Sequence, residues 1–300
     1  MMTRIKDIGE FGLIEKFRKQ IKTDSSVIKG SGDDCAVLKF DRQNYQLITC
    51  DMLVEGVDFT RKDNPYLVGR KSIAVSISDI AACSGEPRYC VISLGLPQNT
   101  RLDFVEKLFK GMLETCKKYK INIVGGDLSR SIKVVIDVSM LGKVKKKCLT
   151  LRSGACPGDI IFVTGSLGGS IKGHHLKFTP RLKEARFLSG NFKVNAMIDV
   201  SDGLAQDLGH ILKESNAGAV IYEDLVPLSK AASGISSALN DGEDFELLFT
   251  MPRADARRLL RKKRADFHPI GEIMPEDYGF KLIDKNKKLV SIKPKGFKHF

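Results

Sequence analysis

The fold is decided by residues 64–87, which read NPYLVGRKSIAVSISDIAACSGEP. Asn64 and Pro65 form a helix start, because asparagine caps helices and proline suits the first helical position. Apolar side chains then recur at helical spacing until Gly85-Glu86-Pro87 stops the run. Asp79 lies on this helix near the apolar stripe. The stretch therefore predicts a helix that carries one carboxylate beside its apolar face.

Predicted strands lie on both sides of this helix in the sequence. Residues 47–50 form a short strand that delivers Asp51 at its end, and residues 121–124 form another that runs into Gly125-Gly126-Asp127. Between residues 143 and 157 a lysine run meets a segment with glycine and proline, which indicates a domain boundary. The chain therefore reads as mixed α and β structure in two domains.

The basic composition limits the classes of partner. The 300 residues include 49 Lys plus Arg against 36 Asp plus Glu, a formal net charge of +13. This balance permits a nucleic acid, a membrane surface or a small anionic substrate. Tryptophan is absent and aromatic residues make up 7%, so there is little sign of a base-stacking platform. The densest basic runs, 143–147 and 257–264, are interpreted as a loop tip and an exposed helix face.

Cysteine usage and hydropathy indicate the compartment. The seven cysteines are odd in number and widely spaced and contain no CxxC pair, so neither a disulfide framework nor a zinc site is indicated. No run approaches the roughly 18 apolar residues of a membrane span, and residues 1–10 lack the apolar core of a signal peptide. We expect a soluble protein of the cytoplasm.

Negative charge is concentrated in aspartates that stand next to small residues. They occur at Gly32-Asp33-Asp34, Thr49-Cys50-Asp51, Ser78-Asp79, Gly125-Gly126-Asp127 and Asp199-Val200-Ser201-Asp202-Gly203. Any single one is usually a turn residue or a helix cap. One explanation that covers all of them is convergence on shared cations. Mg²⁺ prefers oxygen ligands and usually bridges to substrate phosphates, so the pattern points to magnesium and phosphate chemistry.

No familiar nucleotide loop accounts for phosphate binding. The chain lacks the G-x-x-x-x-G-K-[ST] loop, the G-x-G-x-x-G fingerprint with its helix and acidic partner, and the H-R-D and D-F-G motifs of protein kinases. Metal ions and backbone amides would therefore carry most phosphate contacts. Residues 165–173 could offer such amides at a predicted helix start, where unpaired N–H groups favour anions.

The motifs resemble those of the thiamine-monophosphate kinase family, in the same order and over nearly the whole chain. Its superfamily includes aminoimidazole ribonucleotide synthetase and selenophosphate synthetase. The matching segments are GEFGLI (9–14), GDDCA (32–36), TCD (49–51), VEGVDF (54–59), KSIAVSISDIAA (71–82), GGD (125–127), LRSGA (151–155), TGSLG (164–168), IDVSDGL (198–204), GEDFEL (242–247) and GFKHF (296–300).

The resemblance implies a reaction and an architecture. The reaction is direct in-line transfer of the γ-phosphoryl group of ATP to thiamine monophosphate, with several Mg²⁺ ions neutralising two polyanions. The fold implied is α+β, with two aminoimidazole ribonucleotide synthetase-like domains at about 1–147 and 148–300, the first binding metal and ATP. In a homodimer, the N-terminal strands of two subunits would form a shared barrel, with ATP near the interface.

The resemblance also assigns roles to residues, with Asp51, Asp127 and Asp202 expected to be essential for catalysis. The family's metal positions fall on Asp34, Thr49, Cys50, Asp51, Asp79, Asp127, Asp199 and Asp202. Its ATP positions fall on Gly126, Asp127, Arg152 and Ser201, and its thiamine contacts on Asp58, Glu243 and Phe297. A guanidinium fork suits phosphate. Carboxylates and an aromatic face suit a cationic thiazolium.

The chain departs from the family pattern at four places. Asp58 stands where His is common, Cys50 where Thr or Ser is usual, Leu128-Ser129 where Thr-Thr is usual, and Phe297 where Trp or Tyr is expected. The change at Asp58 bears on substrate contacts rather than on metal binding, because the metal aspartates are intact.

Two alternatives stay open. One is another ATP-dependent synthetase of the superfamily, although the first 30 residues contain no cysteine of the selenophosphate synthetase kind. Aminoimidazole ribonucleotide synthetase typically has Gly-Gly-Glu followed by Met-Pro, whereas residues 125–131 follow the kinase form. The other alternative is a basic nucleic-acid-binding protein without catalysis, which predicts steeply salt-dependent affinity.

Overall fold

The structure of the chain is a computed structural model that describes residues 4–264 and 266–297. Of the motif at 296–300, only Gly296 and Phe297 fall within this range, and residues 298–300 lie outside it. No helix in the described ranges is long and apolar enough to cross a lipid bilayer.

The first half of the chain forms a mixed six-stranded sheet. The strands lie in the order β1-β2-β3-β6-β4-β5, and only the β4–β5 pair is parallel. The elements are α1 (Ile5–Arg18), β1 (Val27–Lys29), β2 (Ala36–Lys39), β3 (Asn44–Val54), α2 (Pro65–Ala82), β4 (Glu86–Leu96), α3 (Leu102–Tyr119), β5 (Asn122–Arg130) and β6 (Val135–Lys145).

The second half of the chain forms a seven-stranded sheet, whose strands lie in the order β13-β12-β9-β11-β7-β10-β8. The elements are β7 (Ile160–Thr164), α4 (Leu182–Asn191), β8 (Ala196–Asp199), α5 (Leu204–Ser215), β9 (Ala217–Tyr222), α6 (Ile235–Asn240), β10 (Leu247–Met251), α7 (Arg253–Arg261), β11 (Phe267–Pro275), β12 (Phe280–Ile283) and β13 (Leu289–Ser291). The sheets divide between Lys145 and Ile160. A domain division at 147/148 stays a prediction.

Helix α2 begins where the sequence predicts. The Asn64 side chain accepts a hydrogen bond from the Tyr66 amide, and Pro65 occupies the first helical position. The helix is buried on almost every side, and it packs against β3 and β6 of the first sheet and against β8 and α4 of the second half. One core cluster accordingly contains side chains from both halves, including Ile77 of α2 and Phe249 of β10.

Two strands are longer than the sequence predicts. Asp51 lies inside β3, which pairs in register with β6 from Asn44↔Lys145 to Val54↔Val135. Asp127 likewise lies inside β5, because β4 pairs with this strand through residue 130. The expectation that each aspartate follows a strand is therefore wrong: ladder hydrogen bonds from a distant partner strand extend both strands beyond their apolar runs.

Two further expectations are corrected. Lys143 and Lys145 lie in β6 rather than in a loop tip. The helix predicted to carry Gly173 is replaced by two short 3₁₀ turns, Ser170–Lys172 and His174–Leu176. Gly173 itself has a φ of 115°, a conformation that interrupts a helix.

Glycines bring α2 and α3 into backbone contact. A Cβ atom on Gly69 would lie 1.9 Å from the Leu108 carbonyl oxygen, and one on Gly111 would lie 2.0 Å from the Tyr66 carbonyl oxygen. Only glycine allows this approach, so the position of α2 depends on both residues.

We expect Gly111→Ala to lower the free energy of unfolding by about 1–3 kcal/mol or more, because overpacking forces the two helices apart. Urea denaturation measures the change. Gly190→Ala is the matched control, since Gly190 also lies in a helix, α4, but a Cβ there meets nothing within 4 Å. Equal stability of the two variants would contradict the close contact.

Candidate active site

Three aspartates from both halves of the chain form an acidic cluster, named here the aspartate cluster. Asp34 lies just before β2, Asp79 lies on α2, and Asp199 ends β8. One carboxylate oxygen of each lies within 4.8 Å of the other two. Burial of α2 between the halves is what brings these three distant positions together.

Hydroxyl groups hold the aspartate cluster in place. Thr49 of β3 donates to Asp79, and Ser78 of α2 donates to Asp199 at 2.5 Å. Asp51 lies beside the cluster and accepts from the Ser76 hydroxyl at 2.6 Å. The structure therefore brings together five of the predicted metal residues, namely Asp34, Thr49, Asp51, Asp79 and Asp199.

Alternation along β3 separates Cys50 from its neighbours. Thr49 and Asp51 face α2, whereas the side chain of Cys50 is exposed on the opposite face of the sheet. There the Cys50 thiol donates to Asp137 Oδ2 at 3.2 Å. A contribution of Cys50 to metal binding stays a prediction, and within one chain its thiol points away from the aspartate cluster.

Burial makes the ionised form of these carboxyls costly. It raises the pKa of Asp199 to about 7 and that of Asp51 to about 6. Burial, followed by the charges of Asp51 and Asp199, raises the pKa of Asp79 well above its usual range. Buried like charges require protons or a cation to compensate them.

The donor set fits a hard cation. The groups are oxygen donors only, and Asp34 Oδ2 is buried without a hydrogen-bond partner among the described residues. An unsatisfied buried oxygen of this kind is a ready ligand. Mg²⁺, which takes oxygen ligands, suits this site.

Arg152 connects the aspartate cluster to a cavity of about 680 Å³. Its Nη2 donates to Asp34 Oδ1 at 2.8 Å, and its backbone amide donates to Asp33 Oδ2 at 3.1 Å. The cavity is also lined by Ser201, Asp202 and Phe11 of α1. Its volume suits a nucleotide-sized ligand.

Gly126 and Asp127 lie elsewhere, at a second cavity of about 790 Å³ between α3 and β5. Phe109 and Val105 line this cavity, which is mainly apolar. Gly126 approaches β4 closely, because a Cβ there would lie 2.0 Å from the Ile92 carbonyl oxygen.

The register of the first sheet places Asp127 far from the aspartate cluster. Asp127 pairs with Ser93 of β4, Ser93 with Asp137 of β6, and Asp137 with Met52 of β3. Three strand spacings, about 14 Å, therefore separate Asp127 from β3. Within one chain, the structure does not bring Asp127 to the other metal aspartates, and its role stays a prediction.

Two of the three predicted thiamine contacts, Glu243 and Phe297, bond to the turn at 200–203. The Glu243 amide donates to the Ser201 carbonyl oxygen at 2.7 Å, and the Phe297 amide donates to the Asp202 carbonyl oxygen at 3.1 Å. Asp58 is linked to Glu243 through Lys71, whose ammonium contacts the Asp58 carbonyl oxygen and the Glu243 carboxylate. One Asp58 carboxylate oxygen accepts from the Val54 amide at 2.7 Å.

Known proteins resemble the chain along its entire length. Residues 32–144 match the family described as AIR synthase related protein, N-terminal domain, and residues 156–283 match its C-terminal domain. The thiamine-monophosphate kinase of Buchnera aphidicola subsp. Acyrthosiphon pisum is 37% identical over 97% of this chain and 98% of the relative. That of Aquifex aeolicus is 34% identical over 99% and 100%. The chain belongs to the thiamine-monophosphate kinase family.

A solved structure of this family supports the fold. It is described as AaThiL complexed with AMPPCP and TMP, and it is 32% identical to this chain. It matches over 100% of both chains with a TM-score of 0.88. The predicted α+β fold with two aminoimidazole ribonucleotide synthetase-like domains is thereby confirmed.

Two amides of the glycine-rich segment at 165–169 already bond to carboxylates. The Gly168 amide donates to the Asp244 carboxylate at 2.9 Å, and the Gly169 amide donates to Asp241 at 3.1 Å. These two amides are thus paired within the chain, and phosphate binding by residues 165–173 stays a prediction.

Three polar residues of this site received no individual role from the sequence. Asp33 is buried, and burial, followed by the charge of Asp34, raises its pKa to about 7. Asp207 accepts the amides of Asp202 and Gly203 and so fixes the start of α5. Lys71 was quoted only as part of a motif. The sequence signal for Lys71 was its charge, which stands within a helix otherwise rich in apolar and small residues.

We expect the metal-free protein to lose stability as the pH rises from about 4 to about 7. The folded pKa of Asp199 exceeds the ordinary value of 3.8, so over this range the folded chain keeps a proton that the unfolded chain releases. Asp199→Asn should raise the melting temperature in chelator at about pH 8 by several degrees, at about 2–4 °C per kcal/mol.

The same variant should lose most of the stabilisation that Mg²⁺ gives the parent protein. Asp103→Asn, an exposed position on α3, is the control and should change neither quantity. A lower melting temperature for Asp199→Asn in chelator, or an unchanged response to Mg²⁺, would argue against a cation at the aspartate cluster.

Proposed function

We propose that this protein transfers the γ-phosphoryl group of ATP to the phosphate of thiamine monophosphate, giving thiamine diphosphate and ADP. The observation that carries the proposal is the aspartate cluster. Arg152 links it to a cavity, and it shares helix α2 with Lys71, which contacts Asp58 and Glu243. Full-length relatives named for this activity support it, as does the relative that holds an ATP analogue together with TMP.

The proposed chemistry needs alignment more than proton transfer. The acceptor is already an anionic phosphate oxygen, so the task is to hold two polyanions in line and to offset their charge. Asp34, Asp51, Asp79 and Asp199 would hold Mg²⁺, which supplies positive charge to the phosphates when bound. Arg152, held by Asp33 and Asp34 at the cavity wall, would orient a phosphate group.

We further propose that ATP binds between two subunits. The predicted ATP residues divide between two cavities, and β2, which follows Asp34, lies four strand spacings, about 19 Å, from β5 with Gly126 and Asp127. Two copies closed into a barrel would place β5 of one subunit beside β1 and β2 of its partner. The apolar cavity with Phe109 would then accept the adenine base.

The outer face of the first sheet favours a second copy as the occupant. Within residues 4–264 and 266–297 no helix covers this face, and β5 is an edge strand with a neighbouring strand on one side only. The edge strand β5 also exposes large apolar side chains, with Leu128 at 73% and Val124 at 59%. Further exposed apolar side chains are Met52, Tyr89 and Val91. Such a patch is typical of an interface.

The cytoplasmic location stays a prediction.

A substrate panel tests the activity. With Mg²⁺ and ATP, the protein should convert thiamine monophosphate to the diphosphate, and chromatography of the products measures the turnover. Asp51→Asn should lower kcat by about 10²–10³-fold, because it removes charge stabilisation in the transition state. Asp103→Asn should leave kcat unchanged. Turnover of selenide or formylglycinamidine ribonucleotide alone would assign the chain another reaction of the superfamily, and salt-dependent RNA binding without turnover would favour the nucleic-acid alternative.

Subunit mixing tests the shared site. Asp51→Asn and Asp127→Asn should each be almost inactive, but equal mixing should restore about a quarter of the parental activity. Half of the dimers are then mixed, and each mixed dimer has one site with both aspartates intact. Sedimentation confirms that the variants stay dimeric. Failure of mixed dimers to recover activity would place Asp127 outside the partner's site.

A further inference from the structure

Lys71 is a buried cation whose contacts are all satisfied. Its side chain is 0% exposed, because it lies on α2, which is buried between the two sheets. Its ammonium donates to both carboxylate oxygens of Glu243 at 2.7 Å and to the Asp58 carbonyl oxygen at 3.0 Å. An ammonium has three donors, and each has an acceptor here. A lysine buried in this way is held in one place.

The acceptors of Lys71 come from opposite halves of the chain. Asp58 follows β3 in the first half, and Glu243 precedes β10 in the second half, 172 residues beyond Lys71. The ammonium is therefore a direct polar link between two loops, both of which carry predicted substrate contacts.

The Glu243 loop has a backbone that needs such support. Glu243 and Phe245 both adopt positive φ angles, 56° and 50°, which non-glycine residues adopt only where surrounding contacts enforce them. Lys71 holds the carboxylate, and the Phe245 ring stacks on Phe178 with centroids 4.1 Å apart. Removal of the ammonium would leave a strained loop with an unpaired carboxylate.

The ion pair changes what Glu243 can recognise. Because Lys71 neutralises its charge, the carboxylate is a poor anchor for a cationic ring. Each oxygen still has a second lone pair that can accept a hydrogen bond, and the side chain is 23% exposed. Glu243 is thus prepared to accept N–H groups in a fixed direction.

Helix α2 relates this contact to the aspartate cluster. Lys71 and Ser78 are seven residues apart and so lie on the same side of the helix, about 10 Å apart along its axis. Ser78 holds Asp199 at one end, and Lys71 holds Glu243 at the other. A phosphate acceptor that spans this length would place its phosphate at the cluster and its far ring at Glu243.

We propose that Lys71 is a positioning residue that sets acceptor specificity, by holding Glu243 as a hydrogen-bond acceptor for the amino group of a heteroaromatic ring. The inference rests on the proposed kinase function and explains how the far end of the acceptor is selected. It replaces the expectation that Glu243 attracts a thiazolium by charge.

Kinetics of Lys71→Met test the proposal. The KM for thiamine monophosphate should rise about 10- to 100-fold, as for loss of a charge-assisted hydrogen bond, while the KM for ATP stays within about twofold. Ser72→Ala is the matched control, because Ser72 is the next residue of the helix and is equally buried, and its hydroxyl donates to the Gly69 carbonyl oxygen within its own helix. Equal increases in both KM values would overturn the proposal.

Two further comparisons separate positioning from general damage. Lys71→Met with Glu243→Gln should be no worse than Lys71→Met alone, because the two residues act as one unit. Wild type should discriminate about tenfold against an acceptor analogue whose ring amino group is replaced by hydrogen, and Lys71→Met should show almost none of this preference. Additive losses or retained discrimination would contradict the role of Lys71.

Hydrogen exchange of the two loops tests the role of Lys71 independently of kinase activity. Absence of turnover with thiamine monophosphate by the wild type would reject the kinase assignment but not the link between the loops. In that case amides at 55–59 and 242–246 should both exchange faster in Lys71→Met than in Ser72→Ala. If Lys71→Met does not fold alone, the double variant, which leaves no unpaired buried charge, is compared instead. Unchanged exchange in either loop would overturn the proposal.

Discussion

Burial of helix α2 between the two sheets is the constraint on which the other features depend. A helix enclosed on all sides must be apolar or must supply a partner for every polar group it carries. The polar residues of α2 follow this rule, because Ser76, Ser78 and Lys71 each bond to a carboxylate. Those carboxylates come from distant parts of the chain. The position of one helix thereby fixes the positions of the aspartate cluster and of the Lys71–Glu243 contact.

Local signals made α2 predictable. Asn64-Pro65 starts a helix and Gly85-Glu86-Pro87 stops one whatever the rest of the chain does, and the structure begins and ends α2 between them. The family motifs made the fold predictable in the same way, whereas the roles of the site residues stay predictions. Five of the eight predicted metal positions lie together in one chain.

Non-local pairing limited the remaining predictions. The extents of β3 and β5 depend on hydrogen bonds to β6 and β4, which no short stretch of sequence specifies. Once β3 is known to continue through Asp51, its alternation places Cys50 on the opposite face. The distance of Asp127 from the aspartate cluster depends on strand order across the whole sheet, so a residue list by motif alone could not reveal it.

The core shared by both halves restricts how the protein can move. Ile77 and Phe249 belong to one buried cluster, so a hinge that opened the halves would expose apolar surface to water. Ligand entry and product release therefore have to rely on small displacements of peripheral elements, such as α1 with Phe11 at the wall of its cavity. The shared core thus couples any movement of one half to the other.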